Sequence, residues 1–143
     1  MYRIQTIMTG YTKIENKILE RIVTSDFTKG QLKILFLILR LSSGCQKPGA
    51  VLRKGDLSLA GIEADRRIME LERLSLLNVV KFMRLSRGRK VIWINRNTDE
   101  WALNRVKSEK RLKREFFKLV ASNIPKLFLL KALWKKVFGL FQN

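Results

Sequence analysis

Apolar residues recur along this chain first with a helical period and then, past residue 77, in short runs that fit strands. Ile14, Ile18, Leu19 and Ile22 fall at i, i+4, i+5 and i+8, which predicts a helix opening at Thr12-Lys13-Ile14-Glu15-Asn16 and ending near Ser25. Ahead of it, residues 2–8 predict a short extended lead. Thr28 followed three residues later by Gln31 is a capping-box pattern, and it announces a second helix that runs to about Ser42 and stops at Gly44. Leu32, Leu35, Phe36 and Leu39 give this helix its 3-and-4 spacing, while Ile34, Leu37, Ile38 and Leu41 make it apolar on nearly every side. It is expected at the centre of the fold, buried by its neighbours.

Gln46-Lys47-Pro48-Gly49 reads as a turn. After it come a short helix at 54–60, a turn at Gly61 and a helix at 63–75. That last helix is expected to put Ala64, Ile68, Leu71 and Leu74 against the core and Glu63, Arg66, Arg67, Glu70 and Arg73 on its polar side. Residues 78–85 and 90–95 predict two strands around a turn at 86–89. Apolar residues on both faces of the hairpin base leave its inward face undecided. A helix-turn-helix running into a β-hairpin is an α+β winged helix-turn-helix. Beyond Trp101 the row ALNRVKSEKRLKREFFKLVASN predicts a basic helix, Pro125 interrupts it, and residues 126–141 predict a second, amphipathic one. The expected organisation is a winged-helix domain at 1–101 and a basic helical extension at 102–143.

Charge changes the picture. The chain of 143 residues carries 30 Lys+Arg against 12 Asp+Glu, a formal net charge of +18. Such a field is larger than solubility needs and draws nucleic acid or anionic membrane. Residues 1–101 hold 19 basic and 10 acidic residues and residues 102–143 hold 11 and 2, so the extension is about twice as charge-dense. With no His and one Cys, Cys45, neither a Cys/His zinc site, nor His-based acid–base catalysis, nor an internal disulfide can be built. No Gly-rich phosphate loop or nucleophile motif is present, so no enzyme activity, cofactor or metal is expected. A reducing, cytoplasmic setting fits the cysteine usage, and no signal peptide or membrane-spanning run is read from the sequence.

Between Lys81 and Arg96 there are six basic residues and no acid. Within that span Arg84, Arg87, Arg89 and Lys90 are expected on phosphates or in a minor groove, with Gly88 letting the turn approach the backbone. In a helix-turn-helix the second helix enters the major groove with its N-terminal residues on base edges, and Arg66 and Arg67 stand there. Arginine's forked donors match the two acceptors of guanine. Glu63 and Asp65 are further candidates at the same end, and Glu70 and Arg73 lie on the same side. The plainer alternative for Arg66 is an i,i+4 pair with Glu70 on a solvated face.

Read together, G-Y-T-K-I-E-N-K-I-L at 10–19, the apolar helix after Thr28 and V-I-W-I-N-R-N-T-D-E-W at 91–101 resemble the N-terminal domain of phage replication protein O and related phage and plasmid replication initiators. The resemblance covers about two-thirds of the chain, and Tyr11-Thr12…Ile14…Asn16 and Ile94-Asn95…Trp101 are its most specific parts. It implies a winged helix that binds origin DNA, and recruitment of the replicative helicase or its loader by a downstream region. By position, Arg66 and Arg67 and the wing residues Arg87 and Arg89 match that family's DNA-contacting elements.

Double-stranded DNA is therefore the expected partner, read by a non-catalytic replication initiator. A winged-helix transcriptional regulator is the alternative within DNA binding. The alternative of another class is a peripheral membrane or protein-interaction module built on the extension, where Phe128, Lys131, Trp134, Lys135 and Phe138 place aromatics on one side and lysines on the other. Such a helix suits packing on the domain or on a second copy (a homodimer), docking on the helicase or loader, or, less favoured, an anionic membrane surface. The run Lys107-Ser108-Glu109-Lys110-Arg111-Leu112-Lys113-Arg114 reads equally as a solvated face or as an extended DNA footprint.

Overall fold

The computed structural model describes residues 2–104, 108–124 and 135–136. The chain divides into two compact units, 1–106 and 107–143. Unit one is α+β: helices α1 (Tyr2–Thr9), α2 (Asn16–Val23), α3 (Lys29–Leu41) and α4 (Ala64–Leu76), and strands β1 (Ala50–Arg53), β2 (Val80–Arg84) and β3 (Arg89–Ile94). A 3-10 segment at Lys54–Ala60 precedes the turn at Gly61. The strands form one antiparallel sheet in the order β1-β3-β2. The 3-10 segment, Gly61 and α4 make the helix-turn-helix, and β2 and β3 make the wing.

α3 starts as its sequence requires. Thr28 Oγ1 accepts from the Gln31 backbone N–H at 3.2 Å, and the Gln31 side chain accepts from the Thr28 N–H at 3.0 Å. Its buried stripe, Ile34, Leu35, Ile38 and Leu39, meets Ala50 and Leu52 of β1, Leu71 and Leu74 of α4, and Val80, Ile92 and Ile94 of the sheet in one core. Leu32, Leu37 and Leu41 are partly buried against the same core, but a narrow strip stays open: Lys33 is exposed and Phe36 is 47% exposed, so the helix is not enclosed all round.

Two further expectations are corrected. Residues 2–8 lie in a helix rather than an extended lead; the Arg40 guanidinium donates to the Ile7 carbonyl at 2.9 Å and ties that helix to α3. In α4 the inward stripe is Arg67, Leu71 and Leu74, while Ala64 is exposed and Ile68 is 37% exposed. Arg67 Nε donates to the Ile62 carbonyl at 2.8 Å, so the Arg67 stem lies down beside the turn. Gly61, at φ +68, takes the left-handed conformation that ends the 3-10 segment.

The sheet settles which face of the hairpin packs inward. Val80, Phe82, Ile92 and Ile94 with Ala50 and Leu52 face the helices; Lys81, Met83, Val91 and Trp93 with Val51 and Arg53 face away. A clasp closes the unit. Trp101, 3% exposed, donates its indole N–H to the Asn95 carbonyl at 2.9 Å and meets Phe27 edge-on at 6.1 Å between centroids. Arg96 pairs with Glu15, so the segment before α2 is joined to the segment after β3.

In unit two, α5 (Glu109–Asn123) carries the i,i+4 pairs Lys113–Glu109 at 3.2 Å and Arg111–Glu115 at 3.1 Å. Ile124 is extended, the conformation favoured before a proline, and residue 125 is Pro. No helix of the described residues is long and apolar enough to cross a membrane.

Candidate nucleic-acid interface

The wing is a four-residue turn with left-handed φ at both central positions, Arg87 (63°) and Gly88 (69°). That is the mirror-image turn whose twist matches a hairpin. Gly88 adopts it without a Cβ penalty; Arg87 does not, and its side chain is placed at the tip by a conformation costing about 1 kcal/mol. Arg89 bends back on the turn, its Nε donating to the Ser86 carbonyl at 3.2 Å. Lys90 Nζ sits 5.0 Å from the centre of the Phe82 ring, a cation–π contact that holds the ammonium at the base of the wing.

Register concentrates these charges. Arg84 lies opposite Lys90, and Arg53 lies opposite Arg89. Like charges on facing rungs destabilise an antiparallel pair. The three strands contain no acid to offset them. Arg53 escaped the sequence reading because β1 did: its four residues, AVLR, fit either period. The alternation of two small or apolar inward residues with Val51 and Arg53 was the available signal.

On α4 three parallel stripes are distinct. Arg67, Leu71 and Leu74 point inward. Asp65, Glu72 and Leu76 point outward, all exposed, and Met69 is exposed at the rim of the cleft between α3 and α4. Between them runs Arg66, Glu70 and Arg73, facing a cleft of about 640 Å³ shared with Lys29 and Lys33 of α3. Arg66 is exposed and does not pair with Glu70; instead Arg73 stands 3.8 Å from Glu70 Oε1. Glu70 Oε2 is buried with no hydrogen-bond partner among the described residues. Glu63 stands as the N-cap residue of α4, without a side-chain cap bond. Lys29 and Lys33 were not among the sequence candidates, because Lys33 reads only as an interruption of an apolar run. Its i,i+4 spacing from Lys29, at the start of a helix, was the signal that both share one side.

The structure thus brings Arg66, Glu63, Glu70 and Arg73 to one cleft and Arg84, Arg87, Gly88, Arg89 and Lys90 to one hairpin, and it commits Arg67 to the turn backbone. Of the extension candidates, Lys135 is exposed, while Phe128, Lys131, Trp134 and Phe138 lie outside the described residues. Among the described residues no group of three or more His, Cys, Asp or Glu is placed to hold a metal ion.

Residues 94–101 form a polar knot behind the wing. The Asn95 amide donates to the Asn78 carbonyl and to Glu100 Oε2, both at 2.9 Å, and the Asn97 amide donates to Glu100 Oε1 at 3.1 Å. These bonds, the Asn95 bond foremost, and the nearby charge of Lys81 hold the Glu100 carboxyl below its ordinary range against the opposing effect of desolvation.

No curated protein and no solved structure matches the chain. The family model for bacteriophage replication protein O matches residues 3–101, from α1 through the helix-turn-helix and wing to the Trp101 clasp. That span is more than half of the 143 residues, and the chain belongs to the bacteriophage replication protein O family.

Proposed function

We propose that unit one binds double-stranded DNA at a phage replication origin, with α4 turned onto its Arg66–Arg73 flank in the major groove and the wing on adjacent phosphates. The observation that carries this reading is the facing of Arg84 on Lys90, on the side of the sheet that looks toward the helices. Two cations on facing rungs repel one another in the free protein, and a polyanion laid against them turns that repulsion into attraction. Arg66 then offers a forked donor to base edges, and Lys29 and Lys33 flank the cleft where a phosphate strand would pass.

The outward stripe of α4 constrains the pose. Asp65 and Glu72 on a face set square into the groove would meet phosphates on both sides, so the basic flank leads. Recruitment of a helicase or loader belongs to the residues beyond 104, where α5 exposes Lys110, Arg114 and Lys118 together with Phe117 and Leu119.

The test is binding of the full chain to random duplex and to the DNA surrounding its own coding region across a salt series. Preference for the local DNA that survives rising salt supports an origin reader. Equal binding to both that vanishes with salt would reduce the domain to a nonspecific clamp and remove the groove-reading role of Arg66.

A further inference from the structure

The sheet has a second face, the outer one that carries Arg53 and Arg89, whose apolar residues the duplex reading does not use. Antiparallel register and strand alternation place Trp93 beside Lys81 in one row, and Val91 between Val51 and Met83 in the next. Arg53 faces Arg89 in the row nearest the wing tip. Met83 is 57% exposed and Val51 41%, with Trp93 and Val91 half-buried between the edges. Gly49, just before β1, is buried, and a Cβ there would stand 2.9 Å from Val91 Cγ1 and 3.8 Å from Trp93 Cβ, so the chain packs closely beside this row. The result is a shallow apolar strip with an indole in it, with Arg53 and Arg89 at one end and Lys81, which also lies near Glu100, at the other.

We infer that this outer face binds single-stranded DNA, with an unpaired base on Trp93, its neighbours along Val91, Val51 and Met83, and the phosphates drawn to Lys81 at one end and to Arg53 and Arg89 at the other. A flat sheet cannot reach the faces of paired bases, whereas an unpaired strand offers them freely. Aromatic stacking with a basic border is the general means of holding such a strand. Charge argues against the other occupants. A second copy laid face to face would set the same cations against each other, and residues 102–143, with 11 basic and 2 acidic residues, carry the same sign.

With duplex on the α4 and wing side and a single strand on the reverse of the sheet, the domain would stand where the two strands part. That junction role rests on the duplex reading above; the single-strand site itself does not.

The test uses the full chain, a short oligo(dT) and a duplex, each followed by anisotropy and by tryptophan fluorescence. Trp93→Leu keeps the apolar fill and removes the ring, and should weaken oligo(dT) by about 5- to 150-fold, the loss of one stacked base, while duplex affinity moves less than about twofold. Because Trp93→Leu also touches the sheet, Met83→Glu at an exposed position serves as the second variant, with the same selective loss expected. The inference is overturned if both variants melt cooperatively yet bind oligo(dT) as the wild type does, or if oligo(dT) and duplex weaken in equal proportion. It is also overturned if wild-type oligo(dT) binding is absent, or if an acidic Glu/Leu peptide binds in a Trp93-dependent way while oligo(dT) affinity ignores Trp93. Loss of duplex binding with oligo(dT) binding intact would sink the duplex reading alone.

Discussion

The guanidinium of Arg21 donates to the carbonyl of Trp101 at 3.2 Å across eighty residues of chain, and to that of Leu103 at 3.0 Å. Arg21 is 7% exposed, so these bonds are made in a dry setting and join α2 to the segment that leaves the wing. Arg21→Met keeps the apolar stem and strands both carbonyls. The expected cost is about 2–3 kcal/mol in urea unfolding. A loss under about 0.5 kcal/mol would mean that water replaces the guanidinium and that the clasp rests on Trp101 packing alone.

Acid should act through Glu100. Its carboxyl titrates below the ordinary range in the folded chain, chiefly because of the Asn95 amide. A group whose folded value is depressed adds stability above its unfolded pKa, and that stability fades as pH falls through the folded value. Unfolding free energy should therefore decline below the usual carboxylate range, and Glu100→Gln should remove that part of the decline. In an NMR titration Asn95→Ala should move the Glu100 midpoint upward; an unmoved midpoint would shift the cause to Lys81.

On duplex DNA the wing should reveal itself through salt. Arg87→Ala with Arg89→Ala is expected to weaken all sequences alike and to flatten the plot of log affinity against log salt by roughly 0.9 for each phosphate that the wing no longer neutralises. An unchanged slope would take the wing out of the footprint.

Arg66 and Lys33 line one cleft and should behave differently. Arg66→Ala is expected to relax preference at particular base pairs, by about 1–3 kcal/mol where the arginine reads guanine. Lys33→Gln should weaken every duplex equally. If Arg66→Ala also costs the same on all sequences, it is a phosphate contact and the base-reading residue lies elsewhere on α4.

The elements whose signals are local were legible in the sequence. Thr28 and Gln31 announced α3 through a bond pair four residues wide, and the Arg87-Gly88 turn announced the wing. What escaped depends on contacts distant in sequence. β1 is a strand because β3 pairs with it, and residues 2–9 form a helix that Arg40 fastens from across the fold. Arg67 shows the limit of periodicity most clearly: counting apolar residues put Ala64 and Ile68 inward, whereas Arg67 lies along the inward stripe with its Nε bonded to the Ile62 carbonyl. The cleft beside Arg66 was half legible, since its α4 side follows from spacing and its α3 side needs the packing of two helices.

The pairing of Val80 with Ile94 and of Arg84 with Lys90 fixes how many residues the wing contains. One residue added or removed at the tip would slip β3 by one position, bringing Val91 and Trp93 inside and turning Ile92 and Ile94 out to water. The helices behind the sheet therefore fix the parity of the loop, while the left-handed turn at Arg87 and Gly88 sets which side chains can stand there. Related chains are free to change what the wing touches by substitution, and an insertion there has to come in a form that leaves the parity of the hairpin intact.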